Sequence, residues 1–398
     1  MVKPKLIRIT TVPSSLRGLL KGQLKFMTQF FDVIAISSPG DELSEFENEE
    51  GVRVIPVQIK RSPNPIRDLL SIYRMYRIFK REKPTIVHTH TPKAGFVGMT
   101  AAFLAKVPIR LHTVAGLPLM TRKGINMKIL IWIEYITYQF AHRVYPNSIG
   151  LREYLLSLNI VKLEKLKVIG CGSSNGIDLE YFNPELISEN QVNELKIQLN
   201  IKPTDFVFIT IGRIVKDKGI NELLAATWNL VGNYPNIKLL LLGKFENELD
   251  PVDKRLEKFA QNSEHIILAG YQKDIRPYLQ LADVFVHPSY REGFPNVVMQ
   301  ACAFNKACIV TDINGSNELI RHNRNGIVVP IKNVEKLEQA MEFLCKNPDI
   351  RKQYSENNRY IMKQFYSRPK VWNSIYHEYM DLLSVRNIRN KNIRTIQY

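Results

Sequence analysis

Cysteine is scarce in this sequence of 398 residues, and long apolar runs are missing from it. None of the four cysteines lies in a CxxC motif, so neither a disulfide framework nor a cysteine-based metal site is expected. The longest apolar stretch, residues 129–141, is shorter than the roughly 20 residues that a membrane-spanning helix needs, and it contains Glu134. The first residues are too polar for a secretory signal peptide. These absences predict a globular protein of a reducing compartment.

Acidic residues are also in short supply, since 38 Asp and Glu stand against 55 Lys and Arg, for a net charge of +17. Residues 1–184 carry 26 basic and 14 acidic residues (+12), residues 185–350 carry 19 and 21 (−2), and residues 351–398 carry 10 and 3 (+7). Such a field attracts an anionic surface, either phospholipid headgroups or nucleic acid, although basic surfaces are often only solvated. No basic run interleaved with aromatic residues resembles a nucleic-acid-binding module.

Short apolar runs alternate with amphipathic segments in two successive halves of the chain. Strands are predicted at residues 6–10, 31–37, 52–57, 85–88, 109–113 and 143–146, and again at 205–211, 237–242, 265–269, 283–287 and 307–310. Strands that alternate with helices indicate parallel βαβ units, so the predicted fold class is α/β with two Rossmann-like domains. The turn-rich segment 170–178 predicts a border or hinge. The predicted domains are residues 1–184, residues 185–366, and a C-terminal helix with a basic tail at 367–398.

The segment from Arg291 to Gln300 follows a predicted strand and begins a predicted helix. The carboxyl end of a strand that leads into a helix N-terminus places backbone N–H groups beside a crevice, where they can hold a phosphate or a sugar hydroxyl. Gly293 allows a ligand to approach the backbone, and Pro295 suits the first helical position. Glu292 is placed to accept hydrogen bonds from sugar hydroxyls, because a carboxylate does not bind phosphate. Amides for a diphosphate and an acid for a sugar suggest a nucleotide-sugar enzyme.

A second candidate site follows the predicted strand 205–211. Gly212 ends that strand, and Arg213 and Lys218 lie five residues apart in a loop that enters a helix. A bidentate guanidinium and a mobile ammonium suit a diphosphate leaving group, whereas the simpler interpretation is a solvated basic turn.

Two further segments of the N-terminal half could carry chemistry. His88 and His90 share one face of a predicted strand and could ligate a metal, but no cysteine or carboxylate lies close in sequence to complete the site. His112 ends the next strand, where taken alone it is more often a core histidine. The segment Thr10–Gln23 is predicted as a loop that could approach a phosphate, although its glycines do not form a GxGxxG motif.

These motifs together resemble the family-4 retaining glycosyltransferases, which have the GT-B fold of two facing Rossmann-like domains and a last helix that crosses back to the first domain. Within the family, the chain is most similar to bacterial enzymes of capsule and O-antigen assembly. The resemblance rests on the Thr-Thr-Val-Pro opening through Lys21-Gly22-Gln23, on His88-Thr-His-Thr-Pro-Lys-Ala-Gly95, on His112-Thr-Val-Ala-Gly116, on Gly212-Arg213 with Lys218-Gly219, and on Arg291-Glu-Gly-Phe-Pro-Asn296.

The resemblance implies roles for the residues at the matching positions. Arg213 and Lys218 would neutralise the donor diphosphate, Glu292 would hold the donor sugar, and His112 would lie near the reacting centre. The implied donor-binding residues are Gly22, Gly212, Gly243, Tyr271, Gln272, Gly293, Phe294, Asn296 and Gln300. The last of these departs from the family pattern, which has a ribose-binding glutamate there; an amide still hydrogen-bonds hydroxyls, but not as an anion.

The expected function is therefore retaining transfer of a sugar, with a UDP-sugar as donor and a polyprenyl-diphosphate-linked saccharide as acceptor. No metal or other cofactor is expected, and the expected location is the cytoplasm, on the inner face of the membrane. Basic residues would contact the anionic lipid surface. For the apolar residues near 114–133, insertion into the membrane and plain packing are both open; these residues are Leu117, Pro118, Leu119, Met120, Ile125 and Met127. The alternatives are a nucleotide-sugar 2-epimerase on the same fold and a non-catalytic protein that binds nucleic acid.

Overall fold

The computed structural model describes residues 3–60, 64–116, 124–246, 248 and 250–395, and the helical side chains of residues 126 and 386–395 are not included. Four of the apolar residues for which membrane insertion is open, Leu117–Met120, lie outside the described residues. The chain divides into two compact units. The first unit comprises Met1–Gly176 with Arg368–Tyr398, and the second unit comprises Ile177–Ser367. The first border lies within the segment 170–178 that is predicted as a border or hinge, before the predicted domain limit at 184.

The first unit contains a sheet of six parallel strands. The strands are β1 (Lys5–Ile9), β2 (Asp32–Ser37), β3 (Arg53–Pro56), β4 (Ile86–His90), β5 (Ile109–Val114) and β6 (Arg143–Pro146), in the spatial order β3-β2-β1-β4-β5-β6. Its helices up to the border are α1 (Pro13–Leu20), α2 (Gln23–Met27), α3 (Glu42–Glu50), α4 (Pro65–Glu82), α5 (Pro92–Leu104), α6 (Gly124–Phe140) and α7 (Ile149–Ser157). The prediction of a loop over Thr10–Gln23 is wrong, because α1 occupies most of it and places Gly18 inside a helix.

Helices cover both faces of this sheet, which explains why its strands are apolar at most positions. Ile7 and Ile9 of β1 pack on one face with side chains of α4, α5 and α6. Leu6 packs on the opposite face with side chains of α1, α2 and α3. The alternation of side chains along β1 therefore joins two separate hydrophobic layers.

The second unit repeats the architecture with another sheet of six parallel strands. The strands are β7 (Phe206–Ile211), β8 (Ile237–Leu242), β9 (Ile266–Gly270), β10 (Val284–His287), β11 (Ala307–Thr311) and β12 (Gly326–Val329), in the order β12-β11-β10-β7-β8-β9. The helices are α8 (Glu189–Gln198), α9 (Ile220–Val231), α10 (Lys254–Asn262), α11 (Arg276–Leu281), α12 (Asn296–Ala303), α13 (Ser316–Leu319), α14 (Val334–Lys346) and α15 (Pro348–Ile361). The predicted α/β class of both halves is confirmed.

The last helix, α16 (Arg368–Thr395), belongs to the first unit. Val371, Ile375 and Tyr379 of α16 pack against Leu6 and Phe31, so the chain returns to the N-terminal sheet as predicted. The helix extends to Thr395, so it includes most of the segment 367–398 that is predicted as a C-terminal helix with a basic tail. Among the described residues, no helix combines the length and apolarity that crossing a bilayer requires.

Candidate active site

The strand order of the second unit explains where its functional residues meet. The chain proceeds outward from β7 to β8 and β9, and then restarts on the other side of β7 with β10. The strand order thus reverses between β7 and β10, although all the strands are parallel. The loops after these two strands lead away from each other and leave a crevice at the carboxyl edge of the sheet. The segments after β7, β8, β9 and β10 carry Arg213 with Lys218, Gly243, Tyr271 with Gln272, and Glu292, respectively. The fold therefore brings these predicted residues to one edge of one sheet.

Glu292 is held by two basic side chains. Its Oε1 atom forms an ion pair with Nζ of Lys218 and lies 3.0 Å from Nε2 of His287, the last residue of β10. Burial acts to raise the pKa of Glu292, but the hydrogen bond from His287 and the charge of Lys218 outweigh it and lower that pKa to about 2. Glu292 is therefore a fixed carboxylate, suited to accept hydrogen bonds and unsuited to donate a proton at neutral pH.

Arg213 occupies a different environment from Lys218. Its Nη1 atom lies 3.2 Å from Oε2 of Glu246, and both side chains are partly exposed. The sequence groups Arg213 and Lys218 as one diphosphate clamp, whereas in the structure each cation has its own carboxylate partner. Because a guanidinium has five N–H donors in a planar fork, the bond to Glu246 leaves Arg213 able to bind an additional anion.

A cavity of about 720 Å³ opens at this edge of the second unit, within the size range of small-molecule sites. Six of the predicted residues line it: Gly212, Arg213, Gly243, Tyr271, Gln272 and Gln300. Tyr181, Lys244, Glu246 and Lys273 line it as well and are not among the predicted residues. The cavity therefore combines apolar and aromatic walls with cationic groups, as a nucleotide requires.

The floor of the cavity depends on glycine at position 243. The φ angle of Gly243 is 151°, and a Cβ atom there would lie 1.8 Å from the carbonyl oxygen of Gly212. The segments that follow β7 and β8 are thus in backbone contact. A larger residue would separate them and displace Arg213, which follows Gly212 in the chain.

The N-terminus of α12 lies beside this edge. The helix begins at Asn296 with Pro295 as its N-cap, one residue later than predicted, and no side chain in the described part of the chain caps it. Gly293 and Phe294 precede it and are buried, whereas Asn296 in the first turn is exposed, and the first amides of a helix have no partner within the helix. Gln300 lies one turn further along the helix and reaches the cavity wall. The predicted donor-binding residues of α12 thus form one continuous stretch with Glu292.

Two predicted residues belong to the first unit. His112 is 1% exposed, and its Nδ1 atom lies 2.8 Å from Oγ1 of Thr89. Burial lowers the pKa of His112 to about 3, so its ring is neutral. The amide of Gly22 donates a hydrogen bond of 2.5 Å to Oε1 of Glu50. The role of His112 and that of Gly22 in donor binding stay predictions.

The paired histidines of β4 are also buried in the first unit. The rings of His88 and His90 stack with centroids 4.5 Å apart, as their shared strand face predicts. Nδ1 of His88 lies 2.5 Å from the hydroxyl of Tyr379, and Nε2 of His90 lies 2.8 Å from Nη2 of Arg8. Each ring therefore has a protein partner.

The sequence pattern does not reveal several functional contacts of the second unit. His287 ends an apolar strand five residues before Glu292, and that position is a signal that would have identified it. Arg291 forms an ion pair of 2.8 Å with Asp217 in the turn that carries Lys218. This ion pair joins the two loops that hold Lys218 and Glu292, so it fixes their separation.

Comparison with known proteins identifies the chain. Residues 191–360 match the family model of "Glycosyl transferases group 1", and residues 27–172 match that of a "Glycosyl transferase 4-like domain". The chain is 33% identical over 384 residues to the capsular polysaccharide biosynthesis glycosyltransferase CapM of Staphylococcus aureus, a match that covers 96% of this chain and 98% of CapM. The chain belongs to the family-4 glycosyltransferases. This glycosyltransferase is also 30% identical to an Escherichia coli enzyme named UDP-Gal:alpha-D-GlcNAc-diphosphoundecaprenol alpha-1,3-galactosyltransferase, over 78% of this chain and 79% of that enzyme.

Solved structures give the same fold. A glycosyltransferase from Rickettsia africae superposes with a TM-score of 0.80 at 20% identity, covering 96% of this chain and 99% of the other. Anabaena HepE in complex with UDP superposes with a TM-score of 0.79 at 17% identity, covering 96% and 100%. This glycosyltransferase therefore has the two-domain GT-B fold, as predicted.

Proposed function

We propose that this glycosyltransferase transfers a sugar, with retention of the anomeric configuration, from a UDP-sugar to a saccharide carried on polyprenyl diphosphate during surface-polysaccharide assembly. The relative from Escherichia coli is named for a UDP-galactose donor and a diphosphoundecaprenol acceptor, and CapM is named for capsule biosynthesis. A Campylobacter jejuni relative, 27% identical over 82% of this chain, is also named for a diphospho-undecaprenol substrate. Two relatives thus support a polyprenyl-diphosphate-linked acceptor, and CapM supports a role in surface-polysaccharide assembly.

The observation that carries the donor assignment is the cavity of the second unit and its cations. Arg213 lines the cavity, and Lys218 lies on the same loop with its ammonium on Glu292. The exposed ring of Tyr271 at the cavity wall offers a stacking surface for a nucleobase. If the diphosphate lies between the two cations and the nucleobase stacks on Tyr271, the sugar is directed toward Glu292. HepE, which shares the fold, was solved with UDP.

The proposed mechanism relies on electrostatics. As the diphosphate departs, negative charge grows on it and the sugar becomes oxocarbenium-like; Arg213, Lys218 and the amides at the start of α12 stabilise that charge. Glu292 holds the sugar hydroxyls as a carboxylate, because His287 and Lys218 keep its pKa at about 2. The acceptor hydroxyl attacks the face from which the diphosphate leaves, and a phosphate oxygen of the leaving group takes its proton. Departure and attack on one face retain the configuration.

The test is turnover of UDP-sugars onto a polyprenyl-diphosphate-linked saccharide by wild-type protein and three single variants. Arg213→Ala and Lys218→Ala should each lower kcat by roughly 100-fold or more, as removal of one charge-stabilising group does elsewhere. Lys216→Ala is the matched control, because Lys216 is an exposed cation of the same turn that neither lines the cavity, as Arg213 does, nor pairs with Glu292, as Lys218 does, among the described residues. Near-wild-type rates in both site variants would refute the assignment. An inverted anomer in the product, read by NMR, would refute retention.

A further inference from the structure

The cavity of the second unit contains an acidic side chain that the proposed mechanism does not use. Three cations line the cavity: Arg213, Lys244 and Lys273. Glu246 is the one carboxylate among the described residues that line it. Its Oε2 atom lies 3.2 Å from Nη1 of Arg213. A carboxylate repels phosphate, so an anion on the very cation proposed for the diphosphate opposes binding of a nucleotide.

The backbone on both sides of Glu246 is attached to the loop after β7. Before Glu246 in the chain, the carbonyl of Lys244 accepts a hydrogen bond of 2.9 Å from the amide of Ile214, which continues the pairing of β7 with β8. After it, the carbonyl of Asp250 accepts a hydrogen bond of 3.1 Å from the amide of Lys216. A diphosphate that binds the loop after β7 therefore lies near the carboxylate of Glu246.

Glu246 has two opposite effects on a bound diphosphate. Its ion pair orients Arg213, but the two side chains are 33% and 45% exposed, and a partly exposed ion pair changes an equilibrium constant by at most about fivefold. Its repulsion acts on every negative charge of the ligand. UDP carries about three charges at neutral pH, because the second pKa of a terminal phosphate is roughly 6. The repulsion is therefore the larger effect.

We propose that Glu246 lowers the affinity of the cavity for nucleoside diphosphates and thereby promotes release of the product. Arg213 has five N–H donors, so it can contact the carboxylate and the diphosphate together. The repulsion grows with ligand charge, and a UDP-sugar carries about two charges because its terminal phosphate is esterified. UDP is thus weakened more than the donor. The inference rests on the proposed function in that UDP is the product.

Calorimetric titration with UDP, UDP-glucose and uridine tests the repulsion. Glu246→Gln should bind UDP about tenfold more tightly than wild-type protein, UDP-glucose more tightly by a smaller factor, and uridine with unchanged affinity. The gain for UDP should shrink as salt is added. Glu248→Gln is the matched control, because Glu248 is an exposed acid of the same loop that does not line the cavity. It should leave all three affinities close to those of wild-type protein.

The rate of UDP release supplies a second readout. The dissociation rate of UDP, measured by stopped-flow displacement of a fluorescent UDP derivative, should fall in Glu246→Gln, because most affinity changes at one site appear in dissociation. Glu246→Asp keeps the charge in the cavity, so its UDP affinity and release rate should stay closer to those of wild-type protein than those of Glu246→Gln do. A merely structural role of Glu246 would instead weaken UDP binding in both variants.

Three results would overturn the proposal. The first is UDP binding by Glu246→Gln that equals or falls below that of wild-type protein. The second is an equal gain in affinity for uridine and UDP, because uridine carries no charge. The third is an equal loss of affinity for uridine and UDP, which would assign Glu246 to the hydroxyl groups of the nucleoside.

The same titrations distinguish this inference from the proposed function. If wild-type protein binds ADP or GDP in place of UDP, and Glu246→Gln tightens that binding, the role of Glu246 stands and the UDP-sugar donor is wrong. If Arg213→Ala weakens UDP binding and Glu246→Gln leaves it unaltered, the donor assignment stands and the role of Glu246 is wrong.

Discussion

Arg8 and Tyr379 lie 371 residues apart in the sequence and are joined by a hydrogen bond of 3.0 Å in the core of the first unit. Arg8 is completely buried, and its guanidinium also donates to Gln23 Oε1 at 2.6 Å and contacts His90. Within the described residues its hydrogen-bond partners are neutral, and burial lowers its pKa below the ordinary value. The hydroxyl of Tyr379 also meets Nδ1 of His88 at 2.5 Å. One phenol thus links α16 to β1 and β4.

Loss of this phenol should destabilise the first unit. Tyr379→Phe leaves one N–H of Arg8 without its acceptor in the core, which costs about 1–3 kcal/mol of unfolding free energy. Tyr376→Phe is the control, since Tyr376 stacks on Phe30 and its hydroxyl has no hydrogen-bond partner among the described residues. Differential scanning calorimetry should show a lower transition temperature for Tyr379→Phe alone. Equal shifts for both variants would contradict the role of the hydroxyl.

Stability should depend on pH through Glu134. Burial raises the pKa of Glu134 from 4.5 to about 7. Below pH 4.5 the carboxyl is protonated in both states, and between pH 4.5 and about 7 only the unfolded state ionises, so stability falls as pH rises through this window. The loss is about 3 kcal/mol, since each pKa unit corresponds to roughly 1.4 kcal/mol.

Replacement of Glu134 by glutamine removes this penalty. Glu134→Gln should therefore unfold at a higher temperature than wild-type protein above neutral pH and at a similar temperature at acidic pH. Glu153→Gln, a change at an exposed position of α7, should leave the difference between the two pH values unaltered. A Glu134→Gln stability curve that runs parallel to the wild-type curve across pH would contradict the raised pKa.

The ionisation of Glu292 should become visible in catalysis when His287 is removed. His287→Phe keeps an aromatic ring at the end of β10 and deletes the hydrogen bond to Glu292, so burial raises the pKa of Glu292. The acid limb of the profile of kcat/KM against pH should then shift to higher pH, because the sugar site needs the carboxylate. UDP-sugar hydrolysis measured across acidic and neutral pH reports the shift. His265→Phe, in the same unit, should leave the acid limb in place.

Because Gly243 contacts the backbone of Gly212 at the floor of the cavity, alanine substitutions at two glycines of the second unit should have different effects on UDP binding and stability. Gly243→Ala would bring a Cβ atom to within 1.8 Å of the Gly212 carbonyl oxygen, so it should weaken UDP binding and destabilise the unit by more than 1 kcal/mol, a rough lower bound for such strain. Gly232→Ala should be neutral or stabilising, because Gly232 has an α-helical backbone conformation and a Cβ atom there meets nothing closer than 3.9 Å. Calorimetric titration with UDP measures the first effect. Equal UDP affinity in both variants would count against the contact.

The sheets are predictable from the sequence because central parallel strands are buried on both faces and appear as apolar runs, of which Phe206–Ile211 and Ile237–Leu242 are the clearest. The strand β12 is not predictable from the sequence, since its four residues are too few for a periodic signal. The helix α3 is also missed. It contains five glutamates and only two apolar residues, Leu43 and Phe46, so its pattern resembles that of an exposed loop.

The sequence predicts which loops form the site, but it predicts only part of the contacts between their side chains. Arg213, Lys218 and Glu292 follow strands that become neighbours, and the strand-to-helix pattern of the amino-acid sequence is enough to indicate this. Their partners cannot be inferred in the same way: Glu246 lies 33 residues from Arg213, and Glu292 lies 74 residues from Lys218. Only the order β10-β7-β8 decides that each cation meets its own carboxylate.

The division of the first unit between the two ends of the chain determines the timing of its completion during synthesis. The apolar face formed by Leu6 and Phe31 is covered by Val371, Ile375 and Tyr379, which the ribosome makes only after the whole of Ile177–Ser367. At ordinary rates of translation this interval lasts roughly 10 to 40 seconds. The second unit is continuous in sequence and has its own hydrophobic cores, so it can fold within that interval. The first unit is the earlier to emerge and the later to be finished.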